Sequence, residues 1–354
     1  MVHVEMKGMP DMLCKRVCSL FGIVISLSLA LAATSVVAQS IDGRWHPIEG
    51  RPDCKYFKPE RTNIERFQDT AGIKWTGGCK DGYVHGFGTL TETSKAGLVE
   101  ITGTYRDGKL KGIATFEGTH TKENKTVSFL YKGETNGGEM EGQGELTLQG
   151  RFIITGSFEN NVPKGHVRVT VKNKMVLEGE IKEGWDVFGP GKISYANGDQ
   201  YEGEVLNFTK NGRGVLIEAN GTRKEGVFVD DYLNGAGLVV LQNGFRFEGT
   251  FKDGLLSGTG RAVLPNGDRY EGDFENGFIV GAGVKTYHDG SRYEGQFDKL
   301  TRSGEGTLIL SNGDTCKGEW ADDKLVGKGF GRHNDTPSAC SIDHNGKVRF
   351  VGTP

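Results

Sequence analysis

Tyr270-Glu271-Gly272-Asp273-Phe274 leads into Glu275-Asn276-Gly277 and then Gly281-Ala282-Gly283. One unit later the same text reads Tyr293-Glu294-Gly295-Gln296-Phe297 and then Gly304-Glu305-Gly306. One unit earlier it reads Phe247-Glu248-Gly249-Thr250-Phe251, Asp253-Gly254 and Gly258-Thr259-Gly260. Self-similarity at a fixed short step is the signature of a repeat architecture, in which each unit is one supersecondary element stacked on the next.

Working outward, the first glycine of each unit falls at Gly77, Gly103, Gly133, Gly156, Gly179, Gly203, Gly226, Gly249, Gly272, Gly295 and Gly318. From Gly133 onward the step is 23 residues, once 24, whereas the first two steps are 26 and 30 and carry insertions. A Gly-x-Gly follows in nearly every unit. Gly112-x-Ala114 and Gly165-x-Val167 are the departures.

Each unit reads as a β-hairpin. A first turn is marked by Asp81-Gly82, Asp107-Gly108, Asp253-Gly254 or Asn276-Gly277. A second is marked by Asn197-Gly198, Asn220-Gly221, Asn243-Gly244, Asn266-Gly267, Asp289-Gly290 or Asn312-Gly313. These dipeptides accept the positive φ that tight hairpin turns need. Side chains alternate along a strand, so Tyr270, Gly272 and Phe274 share one face while Arg269, Glu271 and Asp273 share the other. The glycines leave room for rings from a neighbouring strand, which lets a thin sheet bury aromatic area without a second layer. The aromatics expected to do this are Tyr201, Phe228, Phe251, Tyr270, Phe274, Tyr293, Phe297 and Trp320. The fold class expected is therefore all-β: an elongated, twisted, single-layer antiparallel sheet of about eleven hairpins. With 22 strands at roughly 4.8 Å each, it would be on the order of 100 Å long.

Composition agrees. The chain has 354 residues, of which 56 are Gly and only 9 Pro, and 36% are hydrophobic. Many turns and a thin core fit those values. Net charge is −3, which points away from nucleic acid.

At the N-terminus, Lys15-Arg16 precedes an apolar run from Val17 to Ala33, and Val36 and Ala38 occupy the −3 and −1 places of a cleavage site before Gln39. Residues 1–38 read as a signal peptide, with Met12 as an alternative start. An uncleaved anchor is the rival reading. Cleavage removes Lys7, Lys15, Arg16, Glu5 and Asp11, so the mature chain is slightly more acidic. Residues 39–74 then read as an N-terminal cap with short strands around Arg44-Trp45, Cys54–Phe57 and Ile73–Trp75. The array spans 75–330, and 331–354 form a C-terminal cap. Localisation is expected to be periplasmic or secreted.

Export leaves four cysteines: Cys54, Cys79, Cys316 and Cys340. An even count in an oxidising compartment suggests disulfides, and three pairings exist. The local choice, Cys54–Cys79 and Cys316–Cys340, places one bond at each end of the array. Zinc is the alternative, weakened by the absence of Cys-x-x-Cys or His-x-x-x-His spacing.

The Tyr-Glu-Gly-x-Phe/Trp…Gly-x-Gly pattern with its 23-residue step resembles the MORN repeat (membrane occupation and recognition nexus), over about 75–330. The opening Cys54…Trp75-Thr76-Gly77-Gly78-Cys79…Gly82…His85-Gly86-Phe87-Gly88 also resembles exported bacterial MORN proteins. The resemblance implies scaffolding and protein contact, homodimerisation, and in some members attachment to membrane lipid. The leading expectation is an extended β surface for protein–protein interaction. The alternative is peripheral phospholipid binding, which the mature charge and the lack of a basic run disfavour.

One row invites a catalytic reading: Glu178, Glu202, Glu225, Glu248, Glu271 and Glu294 hold the same place in six successive repeats. Paired carboxylates can hydrolyse glycosides or hold cations. The plainer reading is charge pairing, because Arg223, Arg246, Arg269 and Arg292 lie two residues before four of them on the same face. The eight histidines are scattered, and no nucleophile elbow, Walker loop or dinucleotide fingerprint occurs. No enzyme activity, cofactor or metal is expected.

Overall fold

The computed structural model describes residues 43–59, 70–94, 97–122, 125–182, 184–343 and 347–351; the expected signal peptide lies outside them. Every α-helix is missing among the described residues, which form 28 strands. The chain divides into two compact units, Met1–Phe188 and Gly189–Pro354.

In the first unit, β1 (Gly43–Ile48) and β2 (Arg51–Pro59) form an antiparallel hairpin. β3 (Thr70–Trp75) and β4 (Gly78–Lys80) pair with different stretches of β5 (Tyr83–Ser94). From β5 onward each strand pairs antiparallel with the next: β6 (Gly97–Arg106), β7 (Lys109–Lys122), β8 (Lys125–Asn136), β9 (Glu139–Leu148), β10 (Phe152–Glu159), β11 (Val162–Val171) and β12 (Met175–Ile181). The extra residues of the two long steps extend strands β5 to β8 rather than forming long loops. β13 (Val187–Tyr195) carries the boundary between the units.

The second unit repeats the hairpin through β14 (Gln200–Leu206), β15 (Thr209–Ile217), β16 (Arg223–Val229), β17 (Tyr232–Val240), β18 (Arg246–Lys252), β19 (Leu255–Val263), β20 (Arg269–Glu275), β21 (Phe278–Thr286), β22 (Arg292–Asp298), β23 (Thr301–Ile309) and β24 (Thr315–Ala321). It closes with β25 (Lys324–Leu325), β26 (Gly329–His333), β27 (Thr336–Ile342) and β28 (Val348–Val351).

The two turns of a unit differ in kind. In the first, both residues take positive φ, as at Asn276 (50°) and Gly277 (80°), the mirror-image turn that suits strand twist. In the second, where it reads Asn-Gly or Asp-Gly, only the glycine does. The Gly267 N–H donates to Leu264 O at 2.9 Å, while Asn266 Oδ1 accepts from the Asp268 N–H at 3.1 Å. The Asn there works as a side-chain cap, not as a left-handed residue.

The two glycines of Gly-x-Gly also have separate roles. Gly281 takes φ 64° and lies with Ala282 in the bulge of β21, where the pairing passes from Gly272–Gly283 to Asp273–Val280. Gly283 faces Gly272 directly and lies under a ring: a Cβ there would sit 2.4 Å from Tyr270 Oη and 2.6 Å from its Cε2. Tyr201 lies likewise against Gly214, and Tyr293 against Gly306. The buried hydroxyls are satisfied in place, since Tyr201 Oη donates to Glu204 O at 2.8 Å and Tyr270 Oη to Asp273 O at 3.3 Å. Edge-to-face contacts join Phe274, Tyr270, Phe297, Tyr293 and Trp320 in order, with centroids 5.0–5.2 Å apart.

Where tyrosine is replaced, another side chain takes its volume. Lys224 and Phe247 occupy the tyrosine place in two repeats, and Leu233 and Leu256 from the following strand cover the glycines instead. Both departures from Gly-x-Gly occur where isoleucine replaces tyrosine. Ile101 and Ile154 leave space that Ala114 and Val167 fill as buried side chains.

The N-terminal hairpin departs from a purely antiparallel meander. β2 touches β5 through one parallel pair, Lys55 with Tyr83. It lies along the first-turn edge of the first two repeats: the Lys55 N–H donates to Gly82 O and the Phe57 N–H to Gly108 O, both at 2.9 Å. Cys54 is bonded to Cys79, and Cys316 to Cys340. Behind β2, Lys58 and Glu92 form a buried pair at 3.2 Å, and burial pushes the Lys58 ammonium below its ordinary pKa despite the carboxylate beside it.

Candidate interaction surface

Alternation gives each strand of the array an inner and an outer face. The inner face consumes its own side chains. Tyr201, Phe228, Phe251, Tyr270, Phe274, Tyr293, Phe297 and Trp320 are all buried there. Burial, with the Asp273 charge adding to it, pushes the Tyr270 phenol up to about 12. Polar residues interrupt this face, among them Lys210 and Arg302. Lys210 is buried beneath Tyr195 Oη at 3.1 Å and Asp231 Oδ1 at 2.8 Å. Arg302 stacks over Trp320 at 4.3 Å and donates to Asp323 Oδ1 at 3.0 Å.

The outer face of the second unit carries the carboxylate row. Register places Val215, Leu238, Arg261 and Val284 between successive members of Glu202, Glu225, Glu248, Glu271 and Glu294, with Thr307 beside Glu294 at the far end. A parallel row alternates Arg223, Arg246, Arg269 and Arg292 with Val240, Val263 and Thr286. Every glutamate of the series meets a cation. Arg223, Arg246 and Arg292 pair with Glu225, Glu248 and Glu294 at 2.5, 3.1 and 2.9 Å, the pairs expected from the two-residue offset. Glu271 is met instead by Arg261, directly opposite on β19, at 2.7 Å. Lys192 meets Glu202 at 3.3 Å, and in the first unit Arg168 meets Glu178. The resulting surface is close to neutral, with ion pairs set among half-buried β-branched side chains.

The edges tie repeat to repeat. At the second-turn edge, Asp268 Oδ1 accepts from the His288 N–H at 3.0 Å and Asp314 Oδ1 from the Asn334 N–H at 2.9 Å. Those bonds, with His333 at 2.8 Å, hold the Asp314 carboxyl below its ordinary pKa; at Asp268 burial opposes the same effect without cancelling it.

A family model, MORN repeat, matches residues 247–269, 270–292, 293–315 and 316–330. Residues 247–330 are four consecutive MORN repeats. The hairpins of 203–246, whose glycines are also intact, repeat the same register outside the match. No curated protein matches the chain. Among the described residues no cluster of three or more potential metal ligands occurs, and no helix is long and apolar enough to cross a membrane.

Sequence reading singled out the eight repeat aromatics and the glutamate row. It did not single out Tyr232, Leu255 and Phe278, the residues that follow the first turn and stand on the outer side of its edge. Their signal was an apolar residue recurring at one fixed place after the turn, easily lost beside the stronger glycine pattern.

Proposed function

We propose that this chain is a non-catalytic interaction scaffold, exported to the periplasm or beyond, whose outer β face binds another protein. The observation that carries the reading is the pairing of the carboxylate row. Six glutamates that could have formed a reactive or cation-binding line are each engaged by Arg or Lys. What remains is a broad surface of ion pairs and β-branched side chains, suited to distributed contact. The disulfides support an oxidising compartment, since such bonds persist there and are rare in the cytosol.

The test is affinity capture with the full chain from the native envelope or secreted fraction, repeated with a Leu238→Asp, Val284→Asp variant. Both positions are half-buried on the outer face, so the fold is retained by circular dichroism and capture is lost. Capture unchanged by the variant refutes the outer face as the binding surface. Binding of the full chain to anionic vesicles in place of any protein returns the phospholipid reading.

A further inference from the structure

The first-turn edge behaves differently in the two units. At the first two turns of the first unit it is covered by the chain itself. β2 crosses the turns Asp81-Gly82 and Asp107-Gly108, donating from Lys55 N–H and Phe57 N–H to the two glycine carbonyls. The residues that follow those turns are packed by the covering hairpin: Trp45 lies 4.7 Å from the Tyr83 ring, and Lys109 Nζ sits 4.5 Å from the centroid of Phe57. A Cβ on Gly108 would lie 2.4 Å from the Trp45 ring, so the fit is close.

In the second unit the equivalent places are Tyr232, Leu255 and Phe278, following Asp230-Asp231, Asp253-Gly254 and Asn276-Gly277. Tyr232 and Phe278 are 44% and 45% exposed, and Val229 beside Tyr232 is 46% exposed. The ridge continues from repeat to repeat: Tyr232 approaches to 3.9 Å of where a Gly254 Cβ would stand, and Leu255 to 4.0 Å at Gly277. Its rim is acidic, with Asp230, Asp253, Glu275 and Asp298 against Lys252 and Lys299. The segment that covers the edge in the first unit is basic and aromatic, Lys55-Tyr56-Phe57-Lys58.

Resting on the protein-binding function above, we infer that the first-turn edge of the second unit, along Val229, Tyr232, Leu255 and Phe278, receives an extended basic–aromatic segment of a partner protein. That segment crosses the turns as β2 crosses those of the first unit. Its backbone N–H groups bond to the turn carbonyls, its aromatic side chains pack on Tyr232 and Phe278, and its Lys or Arg side chains face the acidic rim. β2 itself stays in place because Cys54–Cys79 fastens it.

The probe is a fluorescent synthetic peptide of residues 51–59 carrying Cys54→Ser, titrated by anisotropy into the oxidised full chain. Saturable binding is expected, weakened at least tenfold by Tyr232→Ser with Phe278→Ser, both exposed enough to leave the fold intact by circular dichroism. Asp230→Asn with Glu275→Gln is expected to weaken binding and flatten its salt dependence. A photo-crosslinker at the Phe57 place of the peptide is expected to label residues 229–278. Absence of saturable binding, indifference to the Tyr232 and Phe278 changes, or labelling confined to Tyr83–Lys109 overturns the inference. So does loss of anionic-vesicle binding in the same variants without peptide binding. Partner capture that survives Tyr232→Ser, Phe278→Ser but fails in Leu238→Asp, Val284→Asp overturns the edge site and leaves the scaffold function standing. Peptide binding as described, with no protein captured, does the reverse.

Discussion

Adding one methyl group at Gly283 tests the packing rule of the array. A Cβ there would lie 2.4 Å from Tyr270 Oη and 2.6 Å from Cε2 and Cζ. The ring cannot swing aside, because Phe274 and Phe297 hold it edge-to-face at 5.2 and 5.0 Å. Overpacking of this kind costs about 1–3 kcal/mol, larger than the roughly 0.4–1 kcal/mol that Gly→Ala returns through the unfolded chain. Gly260 holds the same place one repeat earlier, yet its Cβ would meet Glu248 O at 3.1 Å and the two Leu256 Cδ atoms at 3.2 Å. A leucine rotamer yields more readily than a clamped ring, so Gly260→Ala is expected to cost about 1 kcal/mol less than Gly283→Ala. Neither glycine is left-handed, so backbone strain does not enter the comparison. Urea unfolding followed by fluorescence gives the difference, and hydrogen exchange gives its location, since repeat arrays respond chiefly through nearest neighbours. Equal costs at the two sites, or no recovery on adding Tyr270→Leu to Gly283→Ala, refutes ring-over-glycine packing as the origin of the sequence pattern.

Replacing Phe251, Phe274 and Phe297 by Ala is expected to cost about 3–5 kcal/mol at each step, read as successive loss of exchange protection around the altered repeats. Reducing Cys54–Cys79 or Cys316–Cys340, which close separations of 25 and 24 residues, is expected to destabilise by roughly 3 kcal/mol, confined to the corresponding end by the same readout. The depressed Asp314 carboxyl contributes stability above the pKa of an unfolded aspartate, lost as pH falls through its lower folded value; Asp314→Asn removes that part of the acid transition in a pH series of urea midpoints. Tyr131, Tyr270 and Tyr293, raised to about 12 chiefly by burial, stabilise below the ordinary tyrosine pKa. That stability declines between about pH 10 and 12, so ultraviolet titration shows phenolate formation in this range coinciding with unfolding.

The hairpins were legible because turn chemistry and alternation are local. Asn276-Gly277 marks a mirror-image turn by itself, and Tyr270 with Phe274 marks a buried face by itself. Features that depend on register were not. Arg261 replaces Arg269 as the partner of Glu271 because it stands directly opposite on the neighbouring strand, a relation that residue spacing within one strand does not contain. The substitution of Leu256 for a tyrosine ring required knowing which strand overlies Gly249 and Gly260. The path of β2 across the turn edge was hidden most deeply. Beyond the Cys54–Cys79 bond, it rests on two backbone hydrogen bonds and a few ring contacts, which leave no period in the sequence. The tie from Asp268 to the His288 N–H has the same origin, since it joins residues 20 apart at one edge.

The claim that the array binds rather than turns over a substrate is tested most directly by changing Glu248, Glu271 and Glu294 together to Gln. Each carboxylate is about half exposed and paired with arginine, a setting in which an ion pair is worth roughly 0–1 kcal/mol, and glutamine keeps the hydrogen-bond acceptor. The measurement is hydrolytic turnover of polysaccharide substrates alongside capture of the native protein partner, on wild-type and triple-variant chains with matching circular dichroism. No turnover by either chain is expected, with capture retained by both. Turnover by the wild-type chain that disappears in a correctly folded triple variant would contradict it.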